Sequence, residues 1–290
     1  MPPRFFLKYF DPPPAIERHV PALFHYFSDA PLIEDCQPGA LGQLVFFPRH
    51  GGGEVEFDGV AHPIIGGAHL LCGFSRVVPF RFNGPWHAVG ASLSPLGWAA
   101  LTGQAACDHF DRFMPADELL GDEVCETAED INSRYRDGTL DGRAACAELA
   151  EWIAPRLSPI PQAHEKLYDS VLGWLGESLN PRVEDLFPRL SYSRRQGERL
   201  VERYFGLPPA TLARKYRAVR ASAMLAQPDL SETAEALIAE AFHDQPHMIR
   251  EIRRYCGRTP SRLGGGADPL LQTLLQMHNF RRLHLLDGLE

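Results

Sequence analysis

Short apolar runs separated by glycine and proline fill the first third of the chain. Turn residues recur roughly every 8 to 12 positions, which is typical of a small antiparallel barrel or sandwich. We therefore expect a small β-barrel up to about Pro95. The runs that predict its strands are LGQLVFFP, VEFDG, HPIIGG, HLLCGFS, VVPFRFNG and HAVGASLSP.

After Pro95 the apolar positions repeat at the helical intervals of three and four. Helices are predicted in LGWAALTG, around Leu119 to Tyr135, and in AACAELAEWIAPRL. The segment SPIPQ, Ser158 to Gln162, interrupts this pattern with two prolines, which indicates a linker. The predicted fold class is α+β: a small β-barrel with following helices, and then an all-α part.

A basic amphipathic helix is predicted from Gln245 to about Tyr255. Its apolar stripe contains Met248, Ile249 and Ile252, and such a stripe packs against a core. The other face can reach phosphates or base edges with long polar side chains. A helix that only faces water is the alternative for a single basic helix. The polar face consists of Gln245, His247, Arg250, Arg253 and Arg254.

Both ends of this helix are specified by the sequence. Asp244 is a candidate N-cap, because its carboxylate can accept a hydrogen bond from a backbone amide of the first turn. Gly257 can adopt the left-handed conformation that ends a helix, and Pro260 prevents the helix from resuming.

A similar unit lies about 50 residues upstream. A short helix is predicted from Val183 to Leu190, then a turn, then a helix from Ser193 to Gly206 with Ser193 as its cap. A connecting helix is predicted within Leu207–Gln227. Its roughly 18 residues span about 27 Å, and recognition helices in successive major grooves lie about 34 Å apart. The two units can therefore reach neighbouring grooves.

The stretch FHDQPHMIRE followed by GRTP closely resembles the AraC/XylS family of transcription regulators. The resemblance covers roughly Leu167 to Leu263. It implies two helix-turn-helix units joined by a long helix, which bind double-stranded DNA. It also implies a cupin-like sensor domain in the first part of the chain, where GASLSPLG, Gly90 to Gly97, is similar to such regulators.

The resemblance also implies which residues contact DNA. Arginine can bind guanine and glutamine can bind adenine through two hydrogen bonds, whereas Pro246 has no side-chain donor. Arg195, Arg199, Gln245 and Arg250 are therefore favoured for contacts with base edges. The predicted DNA-binding residues are Ser193, Arg194, Arg195, Glu198, Arg199, Arg203, Gln245, His247, Arg250 and Arg254.

The chain departs from the family pattern at several positions. Phe187 and Leu237 stand where a small alanine is usual, and Gly197 stands where a leucine usually enters the core. We hypothesise that the Phe187 ring fills the space left at Gly197, which is a volume-conserving exchange. Ala241 replaces the usual turn glycine and would be strained at a positive φ, and Pro188 shortens the first helix of the upstream unit.

Charge is distributed unevenly along the chain. Residues 163–263 hold 16 basic and 13 acidic residues, a net charge of +3, whereas residues 1–162 hold 11 and 21, a net charge of −10. Only the C-terminal part suits a polyanion. The expected division is a cupin-like sensor domain with a helical extension (1–160), a double helix-turn-helix domain (163–263) and a C-terminal helical extension (264–290).

A small barrel can enclose a ligand. Without the strand register, inward and outward residues cannot be distinguished, and Gly51 to Gly53 is taken as a hairpin tip. The candidate polar groups for a ligand pocket are His50, Glu54, Glu56, His62, His69, Arg81 and His87.

The alternative function is a ligand-binding or metal-dependent cupin-type enzyme with a decayed DNA-binding module. It has little support, because the sequence lacks His-x-His followed by a nearby Glu, the Gly-x-Ser-x-Gly elbow, the Walker loop and the dinucleotide fingerprint. The six cysteines include no Cys-x-x-Cys pair, so a zinc ribbon or disulfide framework is not expected. We expect no catalytic activity, metal or cofactor.

The tail after residue 263 predicts a helix from Pro269 to about Leu286, which either docks on its own chain or forms a dimer contact. No apolar run approaches the roughly 20 residues that span a bilayer, so we expect a cytoplasmic protein. The predicted function is a sequence-specific transcription regulator whose N-terminal domain senses a small molecule or mediates dimerisation. Its candidate partners are double-stranded DNA, a small-molecule effector, RNA polymerase and a second copy of the chain.

Overall fold

The computed structural model describes residues 4–38, 41–227, 229–263 and 269–275. Within these residues the chain begins with β-strands and continues with helices, which confirms the predicted α+β class. The strands are β1 Phe5–Phe10, β2 Ala22–Ser28, β3 Leu32–Gln37, β4 Gly42–Arg49, β5 Gly53–Phe57, β6 Val60–Pro63, β7 Ala68–Leu71, β8 Val78–Asn83, β9 Trp86–Leu93 and β10 Phe113–Pro115.

The strands form two antiparallel sheets, one in the order β1-β2-β9-β4-β7-β10 and one in the order β3-β8-β5-β6. The sheets share an aromatic core that includes Phe24, Phe47, Phe80 and Trp86. Among the described strands, none pairs with a strand of the other sheet. The N-terminal part is therefore an open sandwich, which is one of the two small antiparallel folds, barrel or sandwich, that the sequence predicts.

The burial pattern of the strands explains their positions. Val78 and Phe80 of β8 are buried and alternate with exposed neighbours, because only one face of the smaller sheet meets the core. In β9, by contrast, all eight residues from Trp86 to Leu93 are buried. The larger sheet is covered on its second face by helices, so its central strand has no polar face.

The segment Gly51 to Gly53 joins the two sheets, so the prediction of a hairpin tip is wrong. It leads from β4 in the larger sheet to β5 in the smaller one. The backbone amide of Gly51 donates to the Asn83 carbonyl at 2.8 Å, and the Asn83 amide donates to the Gly52 carbonyl at 2.9 Å. A Cβ at Gly51 would lie 2.7 Å from the Asn83 carbonyl oxygen, so a glycine is required there.

The helices follow the sandwich in the chain. Residues of α3 and α4, among them Ile131 and Leu149, pack on the outer face of the larger sheet. None of the described helices is both long and apolar enough to cross a membrane. The helices are α1 Pro95–Thr102, α2 Asp117–Leu120, α3 Glu123–Arg136, α4 Gly142–Ile153, α5 Gln162–Gly176, α6 Arg194–Phe205, α7 Pro209–Leu225, α8 Glu232–Ala241, α9 Gln245–Cys256 and α10 Pro269–Leu274.

Two buried cores join the sandwich to the later helices. Leu96 of α1 belongs to the core formed by α5, α6 and α7, which also contains Trp174 and Phe205. Cys36 of β3 belongs to the core of α7, α8 and α9, which also contains Ile252. The apolar faces of α5 to α9 are thus completed by Leu96 of α1 and Cys36 of β3.

Candidate nucleic-acid interface

Helix α6 begins with a capping box and presents a basic outer face. The Ser193 hydroxyl accepts a hydrogen bond from the Gln196 amide, and the Gln196 side-chain oxygen accepts one from the Ser193 amide. The helix ends at Gly206, which has a φ of +74° and so takes the left-handed conformation. The exposed residues of its predicted set are Ser193, Arg194, Arg195, Arg199 and Arg203.

Arg194 and Glu198 contact each other across one turn of α6. The Arg194 Nε donates to the Glu198 Oε1 at 3.1 Å, and the Arg194 guanidinium lies 4.8 Å from the centre of the Phe187 ring. Arg194 is therefore held close to the helix surface and shields the Phe187 ring. Arg195 and Arg199 are exposed without such a contact in the described part of the chain, which leaves their guanidinium groups available to an anion.

The segment before α6 differs from the predicted helix at Val183 to Leu190. It forms two short 3-10 turns, Val183–Asp185 and Phe187–Arg189. Pro188 explains the difference, because proline has no amide hydrogen and its ring clashes with the carbonyl four residues earlier in an α-helix. The upstream unit thus combines a compact 3-10 segment with a well-capped second helix.

Gly197 on the buried face of α6 faces Phe187 and Leu190. A Cβ at Gly197 would lie 3.0 Å from the Leu190 Cδ1 and 3.5 Å from the Phe187 Cδ1. This contact supports the hypothesis that the Phe187 ring fills the space beside Gly197, with Leu190 as a second contributor. Leu237 is the other large residue at a position where the family usually has a small alanine. Its side chain is 40% exposed, so it does not overpack the core of the downstream unit.

Replacing Gly197 with leucine is expected to lower the free energy of unfolding by about 1–3 kcal/mol, because the added side chain overpacks this contact. The gain in helix propensity, about 1 kcal/mol, is too small to offset it. The matched control is Gly173→Leu in α5, where a Cβ meets nothing within 4 Å. Urea denaturation should show a loss for the first variant and a gain for the control. A stabilised Gly197→Leu protein would contradict the hypothesis.

Helix α9 has the caps that the sequence predicts. The Asp244 carboxylate accepts a hydrogen bond from the His247 amide at 2.7 Å, and Gly257 ends the helix with a φ of +74°. Ala241 does not take a positive φ, because it closes α8 and the chain then turns through an extended Phe242. The strain considered for Ala241 therefore does not arise.

The N-terminal half of α9 projects into solvent. Gln245 and Arg250 are exposed, whereas His247 is half-buried and its Nε2 lies 3.2 Å from the Glu251 Oε1. His247 therefore contacts its own helix and is less available to a base than Gln245 or Arg250.

A buried ion pair fixes α9 to the connecting helix α7. The Arg217 Nε donates to the Glu251 Oε2 at 3.0 Å, and the Arg217 Nη2 donates to the Glu251 Oε1 at 2.7 Å. Arg217 also donates to the Asn180 side chain at 2.7 Å and lies 5.0 Å from the centre of the Phe242 ring. Both charged side chains are about nine-tenths buried. This bidentate geometry holds the exposed basic face of α9 at one angle to α7.

The C-terminal end of α9 rests on the sandwich. The Val77 amide donates to the Arg254 carbonyl at 2.9 Å, and the Cys36 thiol donates to the Cys256 carbonyl at 3.5 Å. Arg254 itself is exposed and its guanidinium lies 5.7 Å from the centre of the Tyr255 ring. Its position at this contact makes Arg254 a candidate for phosphate contacts at the edge of an interface with DNA.

A separate apolar cavity of about 90 Å³ lies between the two sheets. The candidate polar groups from the sequence analysis do not line it: Glu54, Glu56, His62 and Arg81 are exposed outer residues, and His50 borders a different crevice. The cavity is instead lined by apolar and aromatic residues that the sequence alone did not identify. Among them are Phe24, Tyr26, Val45, Phe80, Trp86 and Ala88.

His87 and His69 are buried for other reasons. The Tyr135 hydroxyl lies 2.8 Å from the His25 Nε2 and 3.0 Å from the His87 Nδ1, in a network between the larger sheet and α3. Burial lowers the pKa of His25 and of His87 to about 4, so both side chains are neutral at pH 7. His69 stacks on Phe113 with ring centres 4.6 Å apart. Among the described residues, no group of three or more His, Cys, Asp or Glu side chains could hold a metal ion.

Comparison with known proteins places the C-terminal helices in a family. Residues 187–264 match the family described as a helix-turn-helix domain. No curated protein sequence matches the chain.

Solved structures with low similarity include ToxT from Vibrio cholerae O395, which is 10% identical, with a TM-score of 0.42, 84% of this chain covered and 97% of that chain. A second crystal form of ToxT from Vibrio cholerae is 11% identical, with a TM-score of 0.40 and coverages of 83% and 96%. The AraC-like transcriptional activator CuxR is 12% identical, with a TM-score of 0.31 and coverages of 81% and 100%.

These TM-scores are too low to establish a shared fold along the whole chain. The family match, however, includes the capped helices α6 and α9 and the connecting helix α7. The C-terminal helices of residues 187–264 therefore form a helix-turn-helix domain.

Proposed function

We propose that the chain is a sequence-specific transcription regulator that reads two successive major grooves. The observation that carries this proposal is the pair of capped helices α6 and α9, each with an apolar inner face and exposed arginines outside. They are joined by α7, whose 17 residues span about 25 Å. This length suits two helices in neighbouring grooves about 34 Å apart, since each helix also has its own width.

Direct contacts with base edges are assigned to the exposed side chains with suitable donors. Arg195 and Arg199 of α6, and Gln245 and Arg250 of α9, can each form two hydrogen bonds with a purine. Ser193, Arg194, Arg203 and Arg254 are placed for backbone phosphates, where contacts set the register without reading sequence. Glu198 and His247 are engaged within their own helices and contribute by positioning Arg194 and Glu251.

The sandwich part is proposed to sense a small molecule. Its cavity between the sheets is the basis for this assignment, and the two shared cores give it a physical connection to the DNA-binding helices. Binding in the sandwich would change DNA affinity only if the ligand favours one arrangement of these contacts over another.

Selection of random duplex DNA by the full-length protein tests the DNA-binding proposal. We expect one enriched motif with two half-elements about one helical turn, or 10 base pairs, apart. Arg250→Ala should relax the preference at one base pair and weaken binding to the selected site by about 1–3 kcal/mol.

The matched control for this experiment is Arg143→Ala, which removes an exposed arginine of α4 in the sandwich part. This variant should retain both the motif and the affinity. A wild-type protein that enriches no motif at low or moderate salt would contradict the proposed function.

A further inference from the structure

The cavity between the two sheets has an apolar and uncharged wall. Aliphatic and aromatic side chains form most of its surface, and no charged side chain lines it among the described residues. The lining residues that carry a polar side-chain atom are Tyr9, Tyr26, Gln37, Gln43 and Trp86. A charged ligand would lose its hydration there without gaining an ion pair, which is unfavourable. The wall therefore suits an uncharged and mainly apolar molecule.

Tyr26 lines this wall, but its hydroxyl is buried away from the open space. Burial raises the pKa of Tyr26, so the hydroxyl keeps its proton at neutral pH. Tyr26 therefore adds no charge to the wall.

Part of the wall comes from the far end of the chain. Leu270 and Leu274 of α10 line the cavity, although they lie more than 170 residues after the end of β9. The Asp35 carboxylate accepts hydrogen bonds from the Leu270 amide at 3.0 Å and from the Leu271 amide at 3.3 Å. This fixes the start of α10 to β3. The helix thus contributes two leucine side chains to a cavity in another part of the chain.

The adjacent face of the same segment belongs to the DNA-binding part. Leu271 and Leu275 are fully buried in the core that also contains Ile252 and Tyr255 of α9. Residues four apart lie on one face of a helix. Leu270 and Leu274 therefore face the sandwich cavity, while Leu271 and Leu275 face the core under α9. The segment 269–275 bridges the two.

The size of the cavity makes this bridge relevant to ligand binding. Its volume of about 90 Å³ is well below the roughly 300–1,000 Å³ of ordinary small-molecule sites. A molecule of ordinary size fits only if side chains leave the wall. Among the lining residues, those of the strands are held by sheet hydrogen bonds, whereas Leu270 and Leu274 belong to a helix of only six residues.

We propose that the segment 269–275 is an internal plug of the cavity, and that an uncharged, mainly apolar ligand competes with it for the same space. This inference rests on the proposed sensing function and names its ligand class and its moving part. Ligand entry displaces Leu270 and Leu274, and because the segment is one helix, it also withdraws Leu271 and Leu275 from the core under α9.

Competition can be tested with N-phenyl-1-naphthylamine, an uncharged fluorescent probe, on the full-length protein. We expect the probe to bind, and hydrogen exchange at the amides of residues 270–275 to accelerate as the probe saturates the protein. The variant Leu270→Ala/Leu274→Ala should bind the probe roughly tenfold or more tightly, because the plug then gives up less apolar contact when it leaves.

A matched variant separates plug release from simple enlargement of the cavity. Leu271→Ala/Leu275→Ala leaves the cavity wall unchanged and weakens only the contact with the core under α9, so it should also bind the probe more tightly. Unchanged probe affinity in this variant overturns the competition. Probe binding with no faster exchange at residues 270–275, or no probe binding even in Leu270→Ala/Leu274→Ala, also overturns it.

The DNA selection described above keeps the two proposals distinguishable. A protein that enriches one DNA motif but shows no release of the plug retains its proposed function as a DNA-binding regulator and refutes the plug alone. A protein that releases the plug but enriches no motif supports the ligand site and refutes the proposed DNA recognition.

Discussion

Replacing Arg217 with methionine is expected to lower the free energy of unfolding by about 3–5 kcal/mol, because the substitution leaves the buried Glu251 carboxylate without its guanidinium partner. Both partners are about nine-tenths buried, and three hydrogen bonds join them. His247 is the nearest remaining group that could donate to Glu251. The loss should appear as a lower urea midpoint at pH 7.

The matched control is Arg18→Met. Arg18 pairs with Asp169, but the two side chains are 51% and 57% exposed, and such surface pairs contribute only about 0–1 kcal/mol. The double variant Arg217→Met/Glu251→Leu should recover most of the lost stability, since no buried charge remains. If Arg217→Met lost no more stability than Arg18→Met, the ion pair would not be the link between α7 and α9 that the geometry indicates.

The same variant should weaken binding to the selected DNA site although Arg217 lies in the interior. Without the bidentate contact, the angle of α9 to α7 is no longer fixed, and Gln245 and Arg250 lose their common orientation. The double variant tests this point, because it restores stability without restoring the directional contact. Its DNA affinity should stay below that of the wild type.

Replacing Lys215 with methionine should have the opposite effect and stabilise the protein at pH 7 by about 2–3 kcal/mol. Lys215 lies in α7 and is only 6% exposed. Burial lowers its pKa from 10.5 to about 8, although the nearby Asp111 partly opposes the change. The Phe110 ring, 5.2 Å from the Nζ, offsets a further part of the cost of burying the charge.

This stabilisation should depend on pH in a defined direction. Below pH 8 both the folded and the unfolded chain hold the proton on Lys215, so the cost of burying the charge is fully present. Between pH 8 and 10.5 only the unfolded chain holds it, so wild-type stability gains relative to the variant as the pH rises. The difference in Tm between Lys215→Met and wild type should therefore shrink from pH 7 to pH 10.

Lys166→Met is the matched control, because Lys166 is an exposed lysine of α5. Its Tm difference from wild type should be small and should not vary across the same pH range. A Lys215→Met protein that is less stable at pH 7, or whose Tm difference does not shrink with pH, would contradict the unfavourable burial of this charge.

The sequence predicted correctly those features of the structure that depend only on residues close together in the chain. The helix predicted from Gln245 to Tyr255 is observed as Gln245–Cys256, with Asp244 and Gly257 as its caps. Capping depends on side chains within one turn, so the sequence specifies it directly. The short helix predicted at Val183 to Leu190 is observed as two 3-10 turns, because Pro188 prevents a continuous α-helix there.

Features that depend on distant residues could not be predicted from the sequence. The alternation in β8 shows that Phe80 faces a core, but the pairing of strands decides which sheet lies opposite. The polar groups proposed for a pocket were chosen for their chemistry, and most of them lie on the outer surface. The contact of Arg217 with Glu251 joins residues 34 positions apart, and nothing near either residue indicates it.

The two cores that join the sandwich to the helices have a consequence for folding cooperativity. Leu96 and Cys36 are buried among residues of α5 to α9, so neither part can unfold without exposing apolar surface of the other. The sandwich and the helices therefore do not have separate free energies of folding. Heat or denaturant should unfold both parts in one transition, and a substitution in either part should change the stability of the whole described chain.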